Sequence, residues 1–231
     1  MTITTQAITF VSGHTTLAGF LAQPTGVGSF PAVVVIHEAF GLNDNIRGVA
    51  QRFADAGYVA LAVDLFAGRN RAACMFRLFS GMFTNSLKHQ GIQDLRAALD
   101  YLAHQPAVDA GRVGAIGFCL GGGLAIAWAC TDDRLKVIAP FYGTNPRPIE
   151  AVRRACPVVG SYPANDWTAA HGRKLDALLD TYDVPHDIKI YPGARHSFFN
   201  DRLPAMHNAD ASADAWQRTL AYFEHYLSGT K

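Results

Sequence analysis

The chain has almost no net charge and no long apolar run, and each shortage excludes a class of protein. Its 231 residues include 20 basic and 19 acidic side chains, which gives a formal net charge of +1 at pH 7. This near-equal number of positive and negative charges predicts neither a nucleic-acid partner nor a membrane-surface partner. No apolar stretch approaches the length that crosses a bilayer. Residues 1–15 also lack the basic and apolar regions of a signal peptide, so we expect none.

Cysteines are few and widely spaced. The chain has four: Cys74, Cys119, Cys130 and Cys156. No two of them form a Cys-x-x-Cys pair, so their spacing predicts neither a zinc site nor a disulfide framework. We therefore expect no metal and no cofactor, and a reducing, cytoplasmic environment.

Linkers, internal repeats and low-complexity segments are also missing. Hydrophobic residues make up 49% of the chain, which is enough to bury a large core. The length fits one α/β domain or two small ones, and the lack of a linker favours a single domain over residues 1–231. We expect a monomer or a small homo-oligomer.

Short apolar runs rich in β-branched residues alternate with longer amphipathic segments. The predicted strands cover residues 3–11, 16–23, 31–37, 58–64, 112–118, 135–142, 157–162 and 185–191. The predicted helices cover residues 44–56, 90–104, 124–130, 148–155 and 168–182, with one more at the end of the chain. This alternation predicts a mostly parallel twisted sheet with helices on both faces and an antiparallel N-terminal hairpin. Residues 65–89 are too long for a simple connection, and we interpret them as a partly helical insertion.

The strand over residues 112–118 leads into a Gly-rich turn that carries a cysteine. The turn reads Gly117-x-Cys119-x-Gly121, the pattern of the strand-to-helix turn called a nucleophile elbow. The glycines matter because so sharp a turn leaves no room for side chains two residues either side of the nucleophile. The helix N-terminus that follows favours a thiolate and an oxyanion. The alternative is a Gly-rich turn beside a buried structural cysteine.

Four chemically active side chains follow predicted strands at their carboxyl ends, the edge where ligands bind in open α/β sheets. They are Glu38, Cys119, Asp166 and His196. The order Cys119, Asp166, His196 is that of nucleophile, acid and base in an α/β-hydrolase triad. His196 would accept the thiol proton, and Asp166 would orient the imidazole.

The backbone beside two of these residues supplies an oxyanion hole. Its predicted N–H donors are those of Leu120, directly after the nucleophile, and of Ala39, after the third strand. A triad built from loops at one edge, in the right chain order, is hard to reach by chance.

Each residue also has a simpler interpretation. Asp166 could cap the helix that begins near residue 168, a lone His196 among nine histidines would mean little, and Glu38 could simply be solvated. His37 is a weaker candidate than Glu38, because alternation along a strand points the two side chains to opposite faces.

The chain resembles the dienelactone hydrolases, or carboxymethylenebutenolidases, of the α/β-hydrolase fold. The matching stretches are residues 36–41 (IHEAFG), 63–66 (VDLF), 114–122 (GAIGFCLGG), 165–167 (NDW) and 191–198 (YPGARHSF). The resemblance implies hydrolysis of cyclic enol esters, such as dienelactone to maleylacetate, in the breakdown of chlorinated aromatic compounds. It implies a triad of Cys119, His196 and Asp166. It also implies that Glu38 interacts with the resting thiol and helps to activate it when substrate binds.

The family also binds the substrate carboxylate through two arginines. Arg77, in the insertion, matches the first. The expected place of the second, four residues after His196, holds Asn200, and Arg202 stands two further on. We predict that Arg77 binds an anionic small-molecule lactone or ester and that Arg202 assists. Apolar residues of the insertion would form the pocket wall: Phe76, Phe79, Met82 and Phe83. Alternatively, these aromatic side chains belong to the core and the arginines are solvated.

Other functions fit parts of the pattern. A glutamine amidotransferase also has a cysteine elbow, but it usually carries Glu two residues after its His, where this chain has Phe198. Cys119 itself disfavours a serine-type esterase. A carboxylesterase of other small esters would use the same triad, and a non-catalytic hydrolase-like binding protein would have lost the chemistry.

Overall fold

The computed structural model describes residues 2–66, 70–84 and 86–229, except the side chains of Phe79, Met82 and Phe83. The described strands form one sheet in the order β1-β2-β4-β3-β5-β6-β7-β8. The strands are β1 Ile3–Ser12, β2 Thr15–Pro24, β3 Phe30–Ile36, β4 Val59–Asp64, β5 Val108–Phe118, β6 Leu135–Phe141, β7 Val158–Pro163 and β8 His186–Tyr191.

Only the N-terminal hairpin runs against the rest of the sheet. β1 pairs with β2 and β2 with β4 in antiparallel fashion, whereas all the pairs from β4 through β3 to β8 are parallel. The carboxyl ends of β3, β5, β6, β7 and β8 therefore open at one edge. This α/β-hydrolase arrangement confirms the predicted fold class, including the antiparallel hairpin.

Six α-helices and one 3₁₀ helix appear among the described residues. They are α1 Asp44–Asp55, α2 Arg71–Thr84, α3 Gln90–Ala103, α4 Leu120–Ala129, α5 Thr168–Thr181, α6 Ala209–Leu227 and the 3₁₀ helix Ile149–Arg154. Of the helices in this part of the chain, none has the length and apolar character needed to cross a membrane. The helix of the predicted insertion is α2, and the expected wall residues Phe79, Met82 and Phe83 lie outside the described side chains.

Two apolar layers hold the helices on opposite faces of the sheet. One layer includes Leu95 of α3, Leu124 of α4 and Leu175 of α5. The other includes Phe53 of α1 and Phe223 of α6, whose ring centroids lie 5.6 Å apart. Because both faces of the central strands are covered, these strands read in the sequence as continuous apolar runs.

α1 begins at Asp44, where the predicted helix begins, and its cap is Asn43 and not the neighbouring Asp44. The side chain of Asn43 accepts a hydrogen bond from the Ile46 N–H at 3.1 Å. Both side chains can cap a helix, so the pattern alone does not choose between neighbours.

Candidate active site

Cys119 stands at the turn between β5 and α4 in a backbone conformation that few residues adopt. Its φ is 54° and its ψ is −111°. Such a conformation costs on the order of 1–3 kcal/mol, which the surrounding structure must offset. A Cβ on Gly117 would lie 2.1 Å from the Gly121 carbonyl oxygen, and one on Gly121 would lie 2.4 Å from that of Ile36. Both positions therefore require glycine, as expected for a nucleophile elbow.

Burial and charge keep the Cys119 thiol protonated. Burial is the largest cause, the Glu38 carboxylate is the next, and together they raise the pKa of the thiol to about 11. The backbone N–H groups of Leu120 and Ala39 face the sulfur and lower this pKa, by less. These are the two predicted oxyanion donors, and the structure brings both to the nucleophile.

His196 and Asp166 form a hydrogen-bonded pair. The Nδ1 of His196 lies 2.7 Å from the Oδ2 of Asp166, and the two side chains are 31% and 6% exposed. The Thr168 hydroxyl donates to the same carboxylate oxygen. Because a carboxylate can only accept, Nδ1 carries the proton and Nε2 is free to act as a base. Asp166 therefore does not serve as the cap of α5; its carboxylate is committed to His196 and Thr168.

Cys119 and His196 are not hydrogen-bonded to each other. Within residues 2–66, 70–84 and 86–229, the sulfur of Cys119 makes no hydrogen bond of ordinary geometry to a side chain. Tyr142 is close to both: its ring centroid lies 5.1 Å from that of His196, and Cys119 is among the groups that raise the pKa of the tyrosine. Catalytic hydrogen bonds often form only when substrate is bound, so this spacing is compatible with a triad.

Glu38 is buried, not solvated. Its side chain is 2% exposed and accepts two hydrogen bonds, from Ser197 Oγ at 2.7 Å and from Asn200 Nδ2 at 2.8 Å. Both donors come from the loop that carries His196. The carboxylate thus links the loop after β3 to the loop after β8 and still raises the pKa of Cys119.

Sequence reasoning missed several residues of the site. In the sequence, Asn200 stands out only as a departure from the expected arginine, and no pattern predicts a role for Ser197 or Thr168. Tyr142 follows the carboxyl end of β6, and this position after a strand is the feature of the sequence that could have marked it as a site residue. Its φ is 40° and its hydroxyl is buried without a hydrogen bond of ordinary geometry among the described residues. Burial, then Glu38 and Cys119, raise the pKa of this hydroxyl well above its usual value.

The predicted substrate-binding arginines contact different parts of the chain. Arg77 is exposed on α2, with its Nη2 3.9 Å from the sulfur of Cys74. Arg202 is 69% exposed and lies 3.7 Å from the carboxylate of Asp201. A third arginine, Arg71 at the start of α2, donates to the Ala39 carbonyl at 3.3 Å. Arg71 therefore contacts the loop after β3, which supplies the predicted oxyanion donor Ala39.

Two exposed aromatic side chains flank the site. Trp167 follows Asp166 and is 61% exposed, and Phe40 follows Ala39 and is 51% exposed. The Trp167 ring lies nearly parallel to the His196 imidazole, at an interplanar angle of 10° and a centroid distance of 6.4 Å. Exposed aromatic surface beside a base offers a contact for a flat apolar group.

Comparison with known proteins decides the family. The family model of the dienelactone hydrolases matches residues 17–227. The chain belongs to the dienelactone hydrolase family. It is therefore a hydrolase of the ester-hydrolase type, and neither the glutamine amidotransferase nor the non-catalytic alternative describes it.

Relatives with this fold cover nearly the whole chain. A candidate carboxymethylenebutenolidase of Synechocystis sp. is 33% identical over 97% of this chain and 98% of its own. The crystal structure of a candidate dienelactone hydrolase from Klebsiella pneumoniae has a TM-score of 0.85 at 26% identity, over 98% of this chain and all of the other. A dienelactone hydrolase-like promiscuous phosphotriesterase from metagenomic libraries has a TM-score of 0.87 at 27% identity, over 98% and 99%.

Proposed function

We propose that this hydrolase opens lactones or activated esters through an acyl thioester on Cys119, with His196 as the base and Asp166 as its partner. The observation that carries the proposal is the 2.7 Å bond from His196 to Asp166 beside a strained cysteine whose sulfur faces two backbone N–H groups. That combination supplies a nucleophile, a base of defined tautomer and a site for negative charge.

The steps follow from these positions. The Nε2 of His196 takes the proton from Cys119, and the sulfur attacks the carbonyl carbon of the ester. The negative oxygen forms between the N–H groups of Ala39 and Leu120. Collapse breaks the carbon–oxygen bond, and the departing alkoxide or enolate takes the proton from His196. Water, deprotonated by His196, then attacks the thioester, releases the acid and restores the thiol.

The protonated resting thiol supports activated esters as the substrate class. A thiol with a pKa near 11 is almost entirely neutral at pH 7, so reaction depends on proton transfer to His196 when substrate is bound. Enol esters and aryl esters release stable anions, so their thioesters form without a strong leaving-group acid. The exposed rings of Trp167 and Phe40 favour a flat, unsaturated substrate. We also propose that the substrate is anionic and that Arg77 and Arg202 bind its carboxylate.

Trapping of the intermediate tests this function. Rapid quenching during turnover of an aryl ester or a dienelactone, followed by intact mass spectrometry, should show one acyl group on Cys119. Cys119→Ala should abolish both the adduct and turnover. Cys130→Ala is the matched control, because Cys130 is a buried thiol at the C-terminal cap of α4. This variant should leave turnover unchanged. Full turnover by Cys119→Ala would refute the proposal.

A further inference from the structure

His37, the last residue before the Glu38 loop, has a side chain that the reaction steps do not use. It is completely buried, and both ring nitrogens are hydrogen-bonded. Nε2 accepts from the Leu65 N–H at 3.0 Å, and Nδ1 lies 2.6 Å from the Glu38 carbonyl oxygen. A buried imidazole with two backbone partners connects the loops that follow β3 and β4.

The two partners fix the state of the ring. Leu65 offers an N–H, so Nε2 must carry a lone pair, and the proton of a neutral imidazole must then be on Nδ1. Nδ1–H therefore donates to the Glu38 carbonyl. Burial, the largest cause, lowers the pKa of His37, while the Glu38 carbonyl and Asp64 raise it and Arg71 lowers it. The net direction agrees with the neutral ring that the geometry requires.

The Glu38 carbonyl belongs to the same peptide unit as the Ala39 N–H. A peptide unit is planar and trans, so its C=O and N–H point in opposite directions. A ring that holds the carbonyl on one side therefore holds the N–H on the other, where it faces the Cys119 sulfur. We propose that His37 is a positioning residue that aims the Ala39 N–H into the oxyanion hole. This inference rests on the proposed function, because it assigns a duty to one of the two oxyanion donors.

Neighbouring contacts show that the backbone and the carboxylate of Glu38 are held by different residues. The Gly41 N–H also donates to the Glu38 carbonyl, at 3.2 Å, so a tight turn follows the held peptide. The Glu38 side chain is bound separately, by Ser197 and Asn200. His37 thus acts on the backbone of Glu38 and not on its carboxylate. Since Gly41 holds the same carbonyl, loss of His37 should weaken the oxyanion hole without removing it.

Two substitutions separate this role from ordinary packing. In His37→Asn, the side-chain amide stands in for Nδ1–H and keeps a donor near the Glu38 carbonyl. In His37→Gln, the amide extends to the place of Nε2 and keeps the Leu65 contact but loses the Glu38 contact. We expect His37→Gln to lower kcat for an aryl ester about tenfold to a hundredfold with little change in KM. His37→Asn should stay within about threefold of the native kcat.

A transition-state mimic gives a second measurement. An aryl trifluoromethyl ketone would form a hemithioketal on Cys119 whose oxyanion needs the hole, whereas iodoacetamide alkylates sulfur without forming one. His37→Gln should weaken ketone binding by about the same factor as kcat, and should slow alkylation much less. Phe66→Leu is the matched control, because it removes the ring packed 4.8 Å from His37 and leaves both hydrogen bonds possible.

The outcomes decide the proposal. A larger loss of kcat and ketone affinity in His37→Gln than in His37→Asn supports it, while equal values in the two variants overturn it. If neither variant folds, ¹⁵N NMR of the histidines in the native enzyme decides instead: a proton on Nδ1 of His37 supports the role, and a proton on Nε2 overturns it. Failure of the thioester mechanism would look different, because native enzyme would then form no ketone adduct at all.

Discussion

The edge of the sheet that holds the candidate active site and the helix that follows β4 are built in opposite ways. Asp166 and Glu38 are held by hydrogen bonds that are partly buried at Asp166 and fully buried at Glu38, and the elbow around Cys119 is held by glycine contacts that allow no side chain. On α2, Arg77 is exposed and Phe76 is 77% exposed. The fold thus fixes the geometry of the candidate site, whereas these exposed side chains on α2 are free to vary.

This difference has a physical reason. A nucleophile, a base and an oxyanion hole work only when their positions are held to a fraction of an ångström, which requires buried partners. A contact with a substrate's charged or apolar group tolerates more movement, and exposed side chains can change without loss of stability. Members of one family can therefore share the edge and differ on the helix. Substitutions at the edge should change the rate constant, and those on the helix should change KM for particular substrates.

The strongest test of the rigid edge is Asp166→Asn. An amide in this place can offer its N–H to Nδ1 and leave the imidazole in the wrong tautomer. We expect kcat/KM for an aryl ester to fall about a hundredfold to ten-thousandfold, with the melting temperature nearly unchanged. Thr168→Val, which removes only the hydroxyl that donates to the carboxylate, should cost far less, and the exposed Asp44→Asn should cost nothing.

A loss in Thr168→Val as large as that in Asp166→Asn would contradict this assignment. It would mean that the carboxylate stabilises the fold near α5 and does not direct His196. Stopped-flow kinetics and differential scanning fluorimetry on the same samples separate the two explanations.

Glu38→Gln tests the electrostatic part of the edge. The carboxylate raises the pKa of Cys119, so its removal should lower that pKa from about 11. At any pH below both values, the variant then has a larger thiolate fraction, and iodoacetamide should alkylate it faster. The pH profile of alkylation should move to lower pH. Asn200→Ala is the control, because it removes one hydrogen bond to the carboxylate but keeps the charge, and its profile should move little. An unchanged profile in Glu38→Gln would show that Glu38 does not control the thiol.

The sequence predicts which loops meet at the carboxyl edge of the sheet better than it predicts the hydrogen-bond partners of the side chains there. The elbow is local, since Gly117, Cys119 and Gly121 stand together in the chain, and the strand runs place the loops in order. The partners of Glu38 are not local: Ser197 and Asn200 are 159 and 162 residues away. Such a pair is set by tertiary packing, and no spacing rule predicts it. His37 shows a related limit, because alternation along the strand concerns only side chains and does not reveal its bond to the Glu38 backbone.

The smallest expected effect concerns three arginines: Arg71 and Arg77 of α2, and Arg202 of the segment after β8. The sequence predicts that Arg77 binds a substrate carboxylate with help from Arg202, whereas the contact with the Ala39 carbonyl favours Arg71. Because exposed ion pairs contribute little, each of Arg71→Ala, Arg77→Ala and Arg202→Ala should raise KM for a carboxylate-bearing lactone by no more than about tenfold. A neutral aryl ester should be much less affected, and iodoacetamide should still alkylate Cys119 at nearly the native rate. The ratio of the two KM values identifies the arginine that meets the carboxylate. Equal losses for charged and neutral substrates in all three variants would show that these arginines are structural and that the carboxylate, if the substrate has one, is bound elsewhere.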